Sequence, residues 1–360
     1  MPHASNRPAI IQINQTNLQH NYAVLNKQSG SAEVMAVVKA NAYGHGLKIV
    51  ATSLHEIGCR NFAVTDAREG IALRQALGDS NAININLLSG LFHANDALLA
   101  STANLTPVIT EHRHLDWLQA ASFHGHVWIK IDSGLHRLGA AYPAALIAQC
   151  QQADISVCGL MSHLACADEA KHPMNHQQVE TFTRLCEQVA TALPRSMLNS
   201  AGIAAMPEHS MDMVRPGIAL YGMEPISSLN LGLKPVMTLL GGIMQIRDVP
   251  AGAAVSYSAS FIAPHRMRIA TVSLGYADGL PRDLSNIGAV FLNANICPII
   301  GRVCMDYSMI DISHTDAVVG DQAEFWGEHI LATDVATQLD TISYTLFTGI
   351  GTRVQRRKGT

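Results

Sequence analysis

The first two thirds of the chain alternate short apolar runs with longer segments whose apolar residues recur at helical spacing. The runs lie near residues 34–38, 61–65, 83–88, 105–109, 126–132, 157–162, 196–199 and 213–218. Runs of this length are typical of buried parallel strands. Eight of them separated by helix-length segments predict an α/β protein with a (β/α)8 barrel of the TIM type rather than an open sheet. A shorter stretch, Ala9–Ile13, precedes a first helix with Asn14 and Thr16 as its two candidate caps.

The pattern changes after about Lys234. Short apolar runs recur there between turn signals such as Pro250–Gly252 and Asp278–Pro281, and only one helix is predicted, near residues 332–340. This spacing is typical of an all-β domain. We therefore expect the barrel to span residues 14–230 and a β-strand-rich domain to span 231–360, with residues 1–13 packing on the second domain.

Composition narrows the classes of function. A formal net charge of −4 gives no electrostatic footprint for nucleic acid. No apolar run reaches membrane-spanning length, and the first residues do not have the pattern of a signal peptide. The seven cysteines are an odd number without CxxC spacing, which favours reduced thiols in the cytoplasm. We expect no nucleic-acid partner, no membrane association and no metal site.

The most informative segment is V-V-K-A-N-A-Y-G-H-G, residues 37–46. Lys39 comes at the end of a predicted buried strand, and a glycine-containing turn leads into an amphipathic helix from about Leu47. An unpaired ammonium is costly to bury, but desolvation lowers the pKa of an amine and frees the nucleophilic form that Schiff-base chemistry needs. Tyr43 adds a phenol in the same loop. The alternative is a lysine that extends into solvent at the barrel rim.

Other residues with reactive or polar side chains also follow the predicted strands. They are Asp132, His163, Asn199, Ser200, Arg215 and Gly217. In a (β/α)8 barrel the C-terminal ends of the strands converge on the face that carries active sites. Asn199–Gly202 after the seventh run and Gly217-Ile218 after the eighth supply small residues, a hydroxyl and backbone N–H groups, which suit a phosphate. Ordinary loop glycines are the alternative.

Lys130 and Asp132 alternate along the fifth run, so both side chains are expected to point inward, with Arg137 just beyond. A buried ion-pair network is the alternative interpretation of this group.

Seven motifs in order resemble those of the bacterial alanine racemase family. They are V-V-K-A-N-A-Y-G-H-G, K-I-D-S-G-L-H-R-L-G, M-S-H-L-A-C-A-D-E, N-S-A-G, V-R-P-G-I-A-L-Y-G, V-S-Y-S-A and G-R-V-C-M-D. The resemblance extends from about residue 8 to about residue 356. It implies a pyridoxal 5'-phosphate (PLP) enzyme with a barrel domain and a β-domain, which interconverts L-alanine and D-alanine and supplies D-alanine for peptidoglycan or catabolises it.

The resemblance also implies roles in the barrel. Lys39 would bind PLP covalently and act as one catalytic base. Arg215 would face the pyridine nitrogen, and His163 would link this arginine to the second base. Lys130 matches a lysine that is often carbamylated in the family and then orients Arg137, which contacts the substrate. The remaining cofactor-binding residues implied by the resemblance are Tyr43, Asn199, Ser200, Gly217, Ile218 and Tyr344.

In the β-domain, the resemblance makes Tyr257 the second catalytic base and the backbone N–H of Met305 a donor to the substrate carboxylate. Both come from the partner subunit in the family, so the resemblance implies a homodimer with shared active sites. An ordinary strand tyrosine and a packing methionine are the alternatives. The residues that match positions controlling substrate access are Asp168, Tyr276, Arg282, Arg302, Ile342 and Tyr344.

Two other classes of protein share parts of this pattern. An NAD-dependent dehydrogenase would use Gly44-x-Gly46 and Asp66, but Ile49 replaces the third small residue and Lys39 would have no role. A PLP-binding protein without turnover would resemble only the barrel half. PLP decarboxylases of related fold carry a cysteine in the second domain where this chain has Tyr257.

Overall fold

The computed structural model describes residues 7–78, 82–189, 192–226 and 228–359. Contacts divide the chain into two units. The barrel unit comprises Leu18–Ala42 and Val50–Lys234. The β-unit comprises the residues up to Asn17, Tyr43–Ile49 and the residues from Pro235 onward. The expected division between residues 230 and 231 remains a prediction. The contacts also group the short segment Tyr43–Ile49 with the β-unit.

Eight parallel strands close into a barrel, and the pairing of Glu33 with Met213 joins the last strand to the first. The strands are Glu33–Val37, Asn61–Val64, Asn84–Leu87, Thr106–Ile109, His126–Lys130, Ser156–Met161, Arg195–Asn199 and Met213–Arg215. Strands of this kind are buried on both faces, which explains their continuous apolar runs. In Asn61–Val64, for example, every residue is buried. The predicted (β/α)8 barrel is confirmed.

One helix precedes the first barrel strand, and further helices connect the strands of the barrel. They are Gln15–Gln28, Leu47–Glu56, Ala67–Leu77, Ala94–Thr102, His112–Ala120, Pro143–Gln152, Pro173–Val189 and Ser200–Ala205, with 3-10 turns at Pro207–His209 and Ile218–Tyr221. Asn14 caps the first helix, because its Oδ1 accepts a hydrogen bond from the Asn17 N–H at 2.9 Å. Asp66 caps Ala67–Leu77 by accepting from the backbone N–H groups of Arg68 and Glu69.

The β-unit contains an eight-stranded sheet. Six strands follow one path, in the order Asn295–Pro298, Ala289–Leu292, Gln322–Trp326, Met237–Val249, Ala9–Asn14 and Gln355–Gly359. The long strand Met237–Val249 also pairs with Met267–Val272, which in turn pairs with Ser308–Asp311. Ala254–Val255 and Phe261–Ile262 form a separate hairpin. The predicted mostly-β C-terminal domain is confirmed.

The expectation of a single helix in this part of the chain is wrong. Ala332–Gln338 matches it, but Ser343–Gly349 is a second helix. Its sequence, S-Y-T-L-F-T-G, is rich in residues of modest helix propensity, so local preference gives little signal. Tertiary packing decides the conformation, because Leu346 and Phe347 are buried on one side of the helix.

Within the described parts of the chain, no helix has the length and apolar character needed to cross a membrane. All seven cysteines lie in those parts, and each is free of a disulfide.

Candidate active site

Basic side chains gather around a histidine at the C-terminal ends of the barrel strands. The His163 side chain is partly buried, and its pKa lies well below the ordinary value because burial disfavours the charged form. The positive charges of Arg215, Lys130, Arg137 and Lys39 lower this pKa further, in that order. The structure therefore brings together these five predicted site residues and keeps His163 neutral near pH 7.

Lys39 follows the first barrel strand and is half-buried. Burial lowers the pKa of its amine, the charge of Arg137 lowers it further, and the carboxylate of Glu69 opposes both. A lower pKa increases the fraction of neutral, nucleophilic amine. Lys39 is therefore not a fully solvated lysine, and its reactivity stays a prediction.

The loop after Lys39 makes a left-handed turn. Ala40, Asn41, Ala42 and Tyr43 have φ angles of 52°, 54°, 55° and 51°. Non-glycine residues in this conformation cost roughly 1–2 kcal/mol each. The predicted glycine turn is present at Gly44 and Gly46. The left-handed conformation nevertheless begins at Ala40, four residues before the first of these glycines. Such strain persists only where neighbouring groups hold it, and it concentrates at functional sites.

Arg215 ends the eighth barrel strand, and its guanidinium is buried. Nη1 donates to Ser196 Oγ at 2.5 Å, and Nη2 donates to the carbonyls of Ser162 and Met197. Burial lowers the pKa of Arg215 to about 10, so it stays a cation near pH 7. Nη2 also lies 3.5 Å from His163 Nδ1. Ser162, the last residue of the run 157–162, and Ser196, the first residue of the run 196–199, were not predicted as site residues.

Arg215 is fixed mainly by neutral oxygens. Among the residues the structure describes, no carboxylate forms an ion pair with it and its Nε donates no hydrogen bond to the protein. A buried cation with a remaining donor is suited to an acceptor on a bound molecule.

Lys130 is the last residue of the fifth barrel strand and is buried. Its pKa falls to about 8, first because of burial and then because of the charges of Arg215, Arg137 and Lys39. The expectation that Asp132 lies on the same strand as Lys130 is wrong. The strand stops at Lys130, and Asp132 Oδ1 instead accepts the backbone N–H groups of Gly134 and His136, at 3.0 Å each. The loop needs these acceptors to satisfy its own backbone.

The residues of the predicted phosphate corner come together in the barrel unit, and their role in binding phosphate stays a prediction. Ser200 Oγ accepts the backbone N–H groups of Gly217 and Ala219 at 2.9 and 3.2 Å, which ties the seventh and eighth strand ends together. Ile218 begins a 3-10 turn there. Asn199 Oδ1 accepts the Gly202 N–H at 2.9 Å, so this side chain caps the short helix Ser200–Ala205.

In the β-unit, Tyr43 lies beside Tyr344, with their ring centroids 5.9 Å apart. Burial raises the pKa of Tyr43 above its ordinary value, and Tyr344 adds to this effect. Gly44 permits this arrangement, because a Cβ on it would lie 2.0 Å from the carbonyl oxygen of Phe347 in the helix of Tyr344. Ile342 immediately precedes this helix and is exposed.

The β-unit also presents Tyr257 and Met305 as exposed side chains, at 69% and 53% of their full accessibility. Tyr257 lies in a 3-10 turn, and the preceding Ser256 donates from Oγ to the carbonyl of Arg302 at 2.8 Å. Ser285 Oγ donates to the carbonyl of Arg282 and accepts the Val303 N–H, so Arg282 lies near the same segment.

The loops of Tyr276 and Met305 are joined. The backbone N–H of Tyr276 donates to the Cys304 carbonyl at 2.9 Å, and Ala277 donates to Met305 at 3.0 Å. Gly275 allows this approach, since a Cβ there would lie 2.4 Å from the Met305 oxygen.

Four charged side chains reinforce these two loops. Arg7 donates to the fully buried Asp278 at 2.9 Å and to Asp306 at 3.1 Å, and Arg353 donates to Asp306 at 2.5 Å. The hydrogen bonds from Arg353 and Arg7 hold the pKa of Asp306 below its ordinary value. The predicted Tyr257, Tyr276, Arg282, Arg302 and Met305 therefore share one region of the β-unit. Asp168 instead lies exposed in a loop of the barrel unit, between Met161 and Pro173.

The barrel places a half-buried lysine and a buried arginine at the C-terminal ends of its strands, the face on which enzymes of this fold carry their active sites. Comparison with known proteins identifies the family. The sequence profile of the alanine racemase N-terminal domain matches residues 13–225, and that of the C-terminal domain matches residues 236–358. The chain belongs to the alanine racemase family.

Relatives and solved structures agree with this membership. An alanine racemase of Stutzerimonas stutzeri is 38% identical over an alignment 365 positions long, which covers 98% of this chain and 99% of that protein. The crystal structure of the biosynthetic alanine racemase from Pseudomonas aeruginosa is also 38% identical, with a TM-score of 0.87 over 98% of this chain and all of that one. An alanine racemase from Bartonella henselae, solved with covalently bound pyridoxal phosphate, is 32% identical with a TM-score of 0.89 over 98% and 99% of the chains.

Proposed function

We propose that Lys39 and Tyr257 are the two catalytic bases with which this member of the alanine racemase family interconverts L-alanine and D-alanine, with pyridoxal 5'-phosphate as cofactor. The observation that carries the proposal is the half-buried Lys39 amine, whose pKa is lowered, at the end of the first barrel strand. The covalently bound pyridoxal phosphate of the Bartonella henselae relative supports the choice of cofactor.

The residues present fit this cofactor. Ser200 Oγ, Gly217 and the backbone N–H of Ile218 would hold the phosphate, with Tyr43 and Tyr344. The buried Arg215 has donors only, and its Nε would face the ring nitrogen and leave that nitrogen unprotonated. Asn199 would support this group through the helix it caps. When bound, the cofactor supplies an aldehyde that combines with amines and a ring that stabilises negative charge at the α-carbon.

The protein's own groups then hold and move the α-proton. We propose that Lys39 Nζ exchanges a proton with D-alanine on one face and that the Tyr257 hydroxyl exchanges a proton with L-alanine on the other. Arg137 and the Met305 N–H would bind the substrate carboxylate. The neutral His163 would connect the fixed charge of Arg215 to Tyr257. Different bases on opposite faces give inversion rather than return of the same isomer.

We further propose that the active enzyme is a homodimer in which Tyr257 and Met305 serve the partner's site. Large apolar side chains are exposed in this region of the β-unit and support an interface there, because removing apolar surface from water lowers the free energy. They include Tyr257, Ile262, Tyr276, Met305 and Tyr307.

We also propose which residues control access to the site and which cellular role the enzyme has. Asp168, Tyr276, Arg282, Arg302, Ile342 and Tyr344 would control the path of the substrate. Tyrosines at the mouth would favour a methyl-sized side chain. Seven cysteines without a disulfide are compatible with the cytoplasm. The biosynthetic relative in Pseudomonas aeruginosa favours D-alanine supply for peptidoglycan over catabolism.

The cofactor assignment predicts a covalent link to one lysine. The purified protein, reconstituted with PLP, should absorb in the visible range, and borohydride should bleach this band. Mass spectrometry should then find the reduced pyridoxyl group on the peptide that contains Lys39. Lys27, which is exposed, provides an internal control and should stay unlabelled. A protein that PLP cannot colour, or a label on another lysine, would contradict the assignment.

Lys130 is expected to carry a carbamate formed from its neutral amine and carbon dioxide. Its pKa of about 8 leaves far more neutral amine near pH 8 than an ordinary lysine, whose pKa is about 10.4. Incorporation of ¹³C from labelled bicarbonate should therefore rise as the pH rises towards 8. The NMR signal should vanish in Lys130→Ala and persist in Lys27→Ala.

Loss of this anion would also release Arg137. We expect Lys130→Ala to lower kcat/KM by about 10–10². An undiminished ¹³C signal in Lys130→Ala would place the carbamate elsewhere and refute the prediction.

A further inference from the structure

Glu69 connects two loops at the C-terminal face of the barrel. It lies in the first turn of the helix Ala67–Leu77, which follows the second barrel strand. Its Oε2 accepts the backbone N–H of Thr65 at 2.8 Å, which is a local contact at the start of its own helix. Its Oε1 reaches the neighbouring loop and accepts the backbone N–H of Ala40 at 2.6 Å.

The position of the second contact is specific. The Ala40 N–H belongs to the peptide group that directly follows the Cα of Lys39, so holding this peptide fixes the ψ angle of Lys39. Ala40 is also the first residue of the left-handed turn, with φ of 52°. The turn is closed behind it by the Ala42 N–H, which donates to the Val38 carbonyl at 2.9 Å. Glu69 therefore binds the first residue of the segment in which the backbone departs from its preferred conformation.

The carboxylate also acts on the amine by its charge. Burial and Arg137 both lower the pKa of Lys39, and Glu69 is the group that raises it. The same residue thus constrains the backbone that carries Lys39 and balances the positive charges around it.

We propose that Glu69 is a positioning residue for Lys39, which holds the left-handed turn through Ala40 and so directs the lysine side chain. This inference rests on the assignment of Lys39 made above. The competing explanation is that Glu69 only stabilises the start of its helix. Asp66 can distinguish these two explanations. It caps the same helix by accepting from the backbone N–H groups of Arg68 and Glu69, and neither hydrogen bond reaches the Lys39 loop.

The experiment compares Glu69→Ala, Glu69→Asp and Glu69→Gln with Asp66→Ala as the matched control. Aspartate is one methylene too short to reach both loops, whereas glutamine keeps a carbonyl acceptor for Ala40. A misplaced catalytic group typically costs about 10² in rate. We expect kcat to fall by about 10² in Glu69→Ala and Glu69→Asp, with KM changed less than about twofold. Glu69→Gln should stay within about tenfold of the parent enzyme, and Asp66→Ala should keep kcat while losing thermal stability.

Two readouts use the cofactor-free protein. Amide hydrogen exchange at Ala40 should accelerate in Glu69→Ala and stay slow in Asp66→Ala. Trace acetylation of Lys39 with acetic anhydride, measured against Lys27, should show its titration moving to lower pH in Glu69→Gln, because the opposing negative charge is gone.

The outcomes separate this inference from the proposed function. If Asp66→Ala lowers kcat as much as Glu69→Ala, or if Ala40 exchanges equally in both, Glu69 is only a helix cap and the inference is overturned. If borohydride labels a lysine other than Lys39 in the parent enzyme, the proposed role of Lys39 is wrong. The exchange rate of the Ala40 amide does not affect that conclusion. Slow kcat and fast Ala40 exchange confined to the Ala and Asp variants, with the label on Lys39, support both.

Discussion

Replacing Tyr257 by phenylalanine should lower racemisation by about 10²–10⁴ while leaving PLP binding intact, because a positioned general acid/base contributes on this scale. The loss should depend on direction. In D₂O the variant should continue to exchange the α-proton of D-alanine through Lys39, whereas exchange from L-alanine should collapse. The physical reason is that proton transfer is needed on both faces of a planar carbon, and one lysine fixed on one side reaches only one of them.

Tyr142→Phe is the matched control, since Tyr142 is another exposed tyrosine and has no assigned role. It should racemise and exchange like the parent enzyme. Proton NMR of each alanine isomer in D₂O measures exchange, and a chiral assay measures racemisation. The two-base assignment is wrong if Tyr257→Phe racemises at nearly the parent rate, or if it loses both exchanges equally with the cofactor in place.

Mixing two inactive variants should restore activity. Lys39→Ala lacks one base and Tyr257→Phe lacks the other, so each homodimer is nearly inactive. In a shared-site dimer, a heterodimer of the two carries one intact site. Random exchange at equal amounts makes half of the dimers heterodimers, which predicts about a quarter of the parent activity per subunit. Separate sites within each chain would give no recovery.

A second mixture controls for the exchange itself. A chain with both substitutions, mixed equally with the parent chain, should start at about half of the parent activity and fall to about a quarter as subunits exchange. Sites confined to one chain would stay at half. Recovery can be judged only after exchange has been verified, for example with two affinity tags or by native mass spectrometry. Verified exchange without recovery in the first mixture would contradict the shared site.

The sequence predicted the barrel because parallel strands buried on both faces must be apolar along their whole length. The run 34–38 illustrates this, since the strand Glu33–Val37 closely matches it. The same reasoning placed Lys39, His163 and Arg215 on one face, because the C-terminal ends of barrel strands converge whatever the details of packing. Roles such as those of Tyr257 and Met305 came from the motifs of a family, which periodicity alone does not show.

Other features depended on contacts between residues distant in the sequence. The helix Ser343–Gly349 has little local propensity and forms because Leu346 and Phe347 are buried. Asp132 was expected to lie on the strand of Lys130, but the strand ends at Lys130. The Asp132 carboxylate instead accepts hydrogen bonds from backbone N–H groups of the following loop. Strand termination depends on which neighbours remain to pair with, and a periodic pattern does not contain that information.

By itself, then, the sequence determined the barrel, the β-unit and the face on which Lys39 and Arg215 lie, since apolar periodicity and the order of strands are properties of the chain. Only the tertiary structure decided the chemical state of that face. The lowered pKa of Lys130, the neutral ring of His163 and the hold of Glu69 on Ala40 each require groups from separate strands and loops. Burial and electrostatic interaction depend on distance in space, and only folding sets those distances.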